Sequence, residues 1–383
     1  MSNKDKILFF SSGDSIDPGT WSCVPFMFST TLERRNFNVI RINYNAPKLF
    51  YRLYEKIVNK LATWLKWDHV NIYHRSIWAY YGINRRIHKA IKKHPDAICS
   101  IFMGYGYYNK WSKMPSILFS DTSYDWVIRK KLKRKPNWIE RIQIKRDTEA
   151  IFRSALVINL FSEPCDWINK NFHGANVRCK KGSMANILYS GTIDETMIDI
   201  KKDSKHILFI GGAHYLEGAK MLIKAYKILK SKDSSLKLDF IALDKSLIDE
   251  DVEGVTYYGY LSKDNLEQRE LYYRLLINSK LFVNPTPFWG AYSSCIESMF
   301  FYTPIIVHPY SQFVEEFGDD IDFGRYNYDF IPEVLAKDIE NLVYSNNYTQ
   351  MAINAHEAVK DYTWDNYVNW MFQELKKTDN AYK

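Results

Sequence analysis

Glu297 stands about one turn into a short helical pattern, SSCIESMFFY, in the second half of the chain. An apolar run (LFVNP) and a loop (TPFWGAY) precede that pattern, and a second apolar run (PIIV) follows it. Strand, loop, helix and strand in this order make a βαβ unit, whose ligand edge lies where the first strand ends. The helix start near Ser293 and Ser294 offers unpaired backbone N–H groups and a positive dipole end, which suits a phosphate. A carboxylate one turn further in can accept hydrogen bonds from a vicinal diol such as a ribose. Spacing alone equally allows Glu297 to decorate a helix face.

The stretch Lys280–His308 resembles the donor-binding motif of the family 4 (group 1) retaining glycosyltransferases, in which seven residues stand between two glutamates. Pro285-Thr286, Glu297-Ser298-Met299 and Thr303-Pro304-Ile305-Ile306-Val307 carry the resemblance. It implies that Glu297 holds the donor ribose. Trp289 occupies the place of the first glutamate, which in the family touches the donor sugar. Gly290, Ala291, Tyr292 and Ser293 would present backbone N–H groups to the sugar or phosphate. Upstream, FIGGAHYLEGAK is similar to the family's glycine loop, with Gly212 and Glu217 where an arginine and a lysine normally meet the donor diphosphate. Two such charge-assisted contacts contribute about 1.5–3 kcal/mol each. The backbone at Gly211 and Gly212, His214 and Lys220 are the candidates to replace them. VTYYGYL resembles the strand and loop against which the nucleobase rests, which nominates Tyr260 and Leu261.

The first half carries the resemblance more loosely. Gly19-Thr20-Trp21-Ser22 resembles a cleft-facing first loop of some family members, and a plain solvent turn is the alternative. Asp121 follows the apolar run PSILFS, where many members have a histidine or acidic residue that reaches the reacting carbon. Its alternative is as a cap for the next helix. The aromatic loop GYGYYNKW offers Tyr105, Tyr107, Tyr108 and Trp111 either to sugar faces or to packing.

These motifs need a scaffold of strands alternating with helices, a doubly wound α/β arrangement. The resemblance implies the GT-B fold, two Rossmann-like domains with the active site in the cleft between them. The expected division is a basic acceptor domain over 1–188, a linker over 189–204, a nucleotide-sugar domain over 205–358 and a terminal helix over 359–383 crossing back to the first domain. Trp364, Tyr367, Trp370 and Met371 would form that helix's buried face. The implied reaction is retaining transfer of a hexose from a nucleotide diphosphate sugar to a glycan or lipid-linked acceptor in cell-surface polysaccharide synthesis. The resemblance implies neither a cofactor nor a metal. A catalytically inactive scaffold that binds a glycan or a protein is the alternative.

Charge is divided unevenly along the 383 residues. Residues 1–190 carry 32 Lys/Arg against 14 Asp/Glu, a net +18, and residues 191–383 carry 20 against 30, a net −10. An anionic partner for the first half follows. Pro47–Trp67 reads as an amphipathic helix with Leu49, Leu53, Ile57, Leu61 and Leu65 on one stripe beside Lys48, Arg52, Lys56, Lys60 and Lys66. Such a helix suits an anionic membrane surface, or packs on its own domain. Arg129–Lys135 (RKKLKRK) adds six cations in seven residues, a pattern that binds phosphates. No nucleic-acid module is recognisable, so nucleic acid is not an expected partner. No apolar run approaches the ~18 residues of a membrane span, and five scattered cysteines fit reduced thiols. A cytoplasmic protein, peripheral on the inner membrane face, is the resulting expectation.

Overall fold

Strands of three to six residues, the central ones near-continuous apolar runs, build two parallel sheets in the computed structural model, which describes residues 5–45, 48–64, 73–180, 182, 184–287 and 292–381. The first sheet holds β1 (Lys6–Ser11), β2 (Asn38–Asn43), β3 (Cys99–Met103), β4 (Ser116–Ser120), β5 (Leu156–Asn159) and β6 (Val177–Cys179), in the order β2-β1-β3-β4-β5-β6. The second holds β7 (His206–Ile210), β8 (Lys237–Ile241), β9 (Val255–Tyr257), β10 (Ser279–Asn284), β11 (Ile305–Val307) and β12 (Gly324–Tyr326), in the order β12-β11-β10-β7-β8-β9. Every pairing between neighbours is parallel. Residues 7–11 of β1 and all of β3, β4, β5 and β10 are buried, as strands covered by helices on both faces must be.

Each sheet reverses its strand order once. In the first the reversal falls between β1 and β3, and in the second between β7 and β10. At such a point the loops leaving two adjacent strands diverge to opposite faces, and a crevice opens at their carboxyl ends.

The chain divides into one unit of Met1–Lys181 with Trp364–Lys383 and another of Gly182–Thr363. The helix Trp364–Ala381 belongs to the first unit. It buries Trp364, Tyr367, Val368 and Met371, and sets the Trp364 ring 5.2 Å from Phe28. Trp370 is only half-buried.

The segment expected as a linker is different. Residues 196–203 form the helix Thr196–Asp203, packed inside the second unit with Met197, Ile198 and Lys201 buried. Lys201 is fully buried and donates to Leu276 O at 2.6 Å, Ser279 O at 3.0 Å and Thr303 Oγ1 at 2.9 Å. Burial pushes its pKa well down, and the three oxygens offset the loss of water. A stretch that is polar in sequence is thus fastened by a lysine whose partners lie 75 to 102 residues away.

Candidate functional site

At the reversal point of the second sheet, Asn284 links the two strand ends. Its Nδ2 donates to Ile210 O at 3.4 Å, while its Oδ1 accepts from Thr286 N at 3.2 Å and Thr286 Oγ1 at 2.6 Å. The helix Leu216–Lys230 approaches this corner through Gly218, where an added Cβ would stand 2.2 Å from Thr286 Oγ1. No side chain caps that helix start; the preceding turn Ala213–Tyr215 runs into it, and the N–H of Leu216 donates to Ala213 O. Pro285-Thr286, the glycine loop and the start of the next helix all meet here.

The helix Tyr292–Phe300 brings Glu297 to the same edge, only 4% exposed. Lys263, on the loop after β9, donates to Glu297 Oε2 at 2.6 Å and to Asn186 O at 2.9 Å. Its ammonium also lies 4.7 Å over the Tyr272 ring. The Tyr272 hydroxyl donates to the same carboxylate oxygen at 2.9 Å. Burial, and then the neighbouring Glu297, push the Tyr272 pKa well above its usual value, which keeps the phenol a neutral donor. Oε1 has no hydrogen-bond partner among the described residues. Glu297 is therefore a fixed, buried acceptor rather than a charge on a helix surface. Lys263 and Tyr272 were not singled out in the sequence, although both lie within twelve residues of the nominated Tyr260.

The other nominated residues of this unit divide. The Gly211 N–H is committed to Ile241 O at 3.0 Å, so it is not a diphosphate donor, because the strand ladder continues through it. Gly212 accepts from Tyr215 N at 2.9 Å and lies close to Ala242 O. His214 and Lys220 are exposed and make no ion pair among the described residues. Tyr260 is exposed beside Gly259, whose φ of 63° turns the chain, and Leu261 is buried. The Tyr292 ring packs on Phe313 at 5.9 Å, and Ser293 is half-buried. Trp289, Gly290 and Ala291 lie outside the described residues.

In the first unit, Asp121 follows β4 directly. It is not the cap of the next turn, because Ser123 accepts from Trp126 N in that role. Thr122 Oγ1 donates to Asp121 Oδ1 at 3.2 Å, and burial raises the carboxyl's pKa against the opposing effect of Thr122 and Lys131. Gly19-Thr20-Trp21 opens a strained turn in which Trp21, Ser22 and Cys23 have φ of 40°, 51° and 73°. Left-handed backbone costs a non-glycine residue about 1–3 kcal/mol, and such turns cluster at functional sites. The Trp21 ring meets Phe119 edge-on at 5.9 Å. Tyr105 and Tyr108 are core residues, and Trp111 stacks on His88 at 5.1 Å. In the basic run, Arg129 pairs with Asp125 and Arg134 with Glu140, which removes two of six cations from service to a ligand.

No protein-family model and no curated protein matches the sequence. Solved structures do match. Sucrose-phosphate synthase from Thermosynechococcus elongatus superposes with a TM-score of 0.64 at 11% identity, over 99% of this chain and 100% of that one. The glycosyltransferase WaaG, involved in lipopolysaccharide biosynthesis, gives 0.61 at 12% identity, over 97% and 98%. Anabaena HepE in complex with UDP-glucose gives 0.57 at 12%, over 98% and 99%. The fold is GT-B. Among the described residues, no group of three or more His, Cys, Asp and Glu side chains is placed to hold a metal. No helix among them is long and apolar enough to cross a membrane.

Proposed function

We propose that this chain is a glycosyltransferase of the family 4 type, moving a hexose from a nucleotide diphosphate sugar to a glycan or lipid-linked acceptor with retention and without a metal. One observation carries the reading. Glu297 is buried at the carboxyl edge of β10, where the strand order reverses, and is gripped through one oxygen by Lys263 and Tyr272. A carboxylate held in this way presents its other oxygen to a diol without losing rotamer freedom on binding. HepE, which shares the fold, is complexed with UDP-glucose, and that supports a uridine or related nucleotide as the donor class.

The chemistry asks for charge stabilisation at the leaving diphosphate, whose negative charge grows in the transition state. The positive dipole end of the helix Leu216–Lys230 and the exposed ammonium of Lys220 would supply it. Asp121 would orient the acceptor hydroxyl or steady positive charge developing on the sugar.

Titration calorimetry with UDP- and GDP-sugars tests the proposal. One nucleotide class should bind, and Glu297→Gln should weaken it at least ~10-fold, the size of one lost charged hydrogen bond. Glu217 at a position where a cation normally meets the diphosphate favours a second reading, a non-catalytic scaffold. Absence of binding to every nucleotide sugar would establish that second reading and remove the first.

A further inference from the structure

The helix Lys48–Trp64 in the first unit turns its apolar stripe away from the protein. Leu49, Leu53, Ile57, Leu61 and Trp64 are 75%, 57%, 52%, 50% and 79% exposed. Their spacing of four, four, four and three residues puts them on one face, over about 22 Å of helix. The flanking face that carries Tyr51 and Tyr54 is the one that packs. Tyr54 and Tyr51 set their rings 5.4 Å and 6.3 Å from Tyr73, and Arg75, two residues on, covers the Tyr124 ring at 4.0 Å. The stripe is therefore not core turned inside out, since the helix is held through Tyr51 and Tyr54 and not through the stripe. Immediately downstream, Ile77, Trp78 and Tyr81 at the start of the helix Ile77–Lys93 are exposed as well.

Charge says what covers this face. Arg52, Lys56 and Lys60 are exposed and border the stripe, and Glu55 is the helix's one acid, engaged with Tyr51. Residues 69–95 contain no Asp or Glu at all, while Arg85, Arg86, Lys89, Lys92 and Lys93 follow the exposed aromatics. A protein partner shaped to an apolar stripe alone would not need such a one-sided border. An anionic bilayer accepts both, with leucines and tryptophans at the acyl boundary and lysines among the headgroups.

We infer that Lys48–Trp64 is an interfacial anchor that seats the first unit on an anionic lipid surface through Leu49, Leu53, Ile57, Leu61 and Trp64. The inference rests on the first unit alone and stands or falls apart from the donor chemistry. It also moves the membrane contact away from Arg129–Lys135, two of whose arginines are internally paired.

Co-sedimentation of the full chain with phosphatidylcholine vesicles, with and without about 30 mol % phosphatidylglycerol, tests it. The wild type should sediment with the anionic vesicles, weakly with the neutral ones, and less as salt rises. The double substitution Leu53→Glu and Ile57→Glu should cut binding at least ~10-fold, and its fold is checked by an unchanged thermal midpoint, since both positions are exposed. Arg52→Gln, Lys56→Gln and Lys60→Gln together should cut it by roughly 100-fold, at about five-fold per charge. Lys133→Gln with Lys135→Gln should change it far less than either. Retained binding by the Leu53/Ile57 variant overturns the inference. So does a wild type that ignores all vesicles but self-associates, and that the same two glutamates make monomeric, because the stripe then belongs to a second copy of the chain.

Discussion

Lys263 and Glu297 form a buried ion pair whose energy can be read by a double-mutant cycle, with no ligand needed. The two side chains are 14% and 5% exposed, and their charges stand 2.6 Å apart. At an effective dielectric near 20, the attraction at that distance is about 6 kcal/mol. Desolvation of both ions offsets much of it, so the pair as a whole adds little to stability. Removing one partner is different, because it strands the other, at a cost of about 3–5 kcal/mol. Lys263→Met and Glu297→Gln should therefore each lower the melting point of the 182–363 unit by roughly 6–20 °C. The double variant, which removes both charges and keeps an acceptor for the Tyr272 hydroxyl, should lie within about 2 kcal/mol of wild type. Scanning calorimetry of the four proteins measures the cycle. Singles that cost under about 1 kcal/mol, or a double equal to the sum of its singles, would refute the buried pair and with it the rigid acceptor proposed for the donor diol.

Gly218→Ala should destabilise the second unit by about 1–3 kcal/mol, because its Cβ would stand 2.2 Å from Thr286 Oγ1; chemical denaturation measures this, and an unchanged midpoint would mean the helix does not meet β10 there. Burial lifts the Asp147 carboxyl to about 6, above its usual value near 4, so wild type loses stability as pH rises through that window. Asp147→Asn titrates nothing there and should gain up to about 3 kcal/mol relative to wild type between about pH 4 and pH 7; a difference constant with pH in urea unfolding would contradict this. Asp121→Ala should lower turnover more than donor affinity, and a wild-type rate in a steady-state assay would retire it from the reaction.

Strand positions were legible because a sheet covered on both faces demands unbroken apolar runs, and KILFFS, SILFS and SKLFVN are such runs. Glu297 was legible for a related reason, since its place on a helix after an apolar strand is a local pattern. The helix in Thr196–Asp203 was not, because its anchor is one lysine with distant carbonyl partners and hardly any apolar periodicity. The aromatics Tyr105 and Tyr108 were equally ambiguous, for a tyrosine has the same letters in a core as on a rim.

Chain-local features, then, came from the amino-acid order alone: the alternation of strands and helices, the charge asymmetry, the leucine stripe of Lys48–Trp64 and the carboxylate at 297. Only the tertiary structure decided partnership. Lys263 reaches Glu297 across 34 residues, and Tyr272 across 25, because β10 and the loop after β9 end on the same edge of one sheet. It likewise decided that the leucine stripe faces outward, since periodicity defines a face of a helix but not what, if anything, covers it.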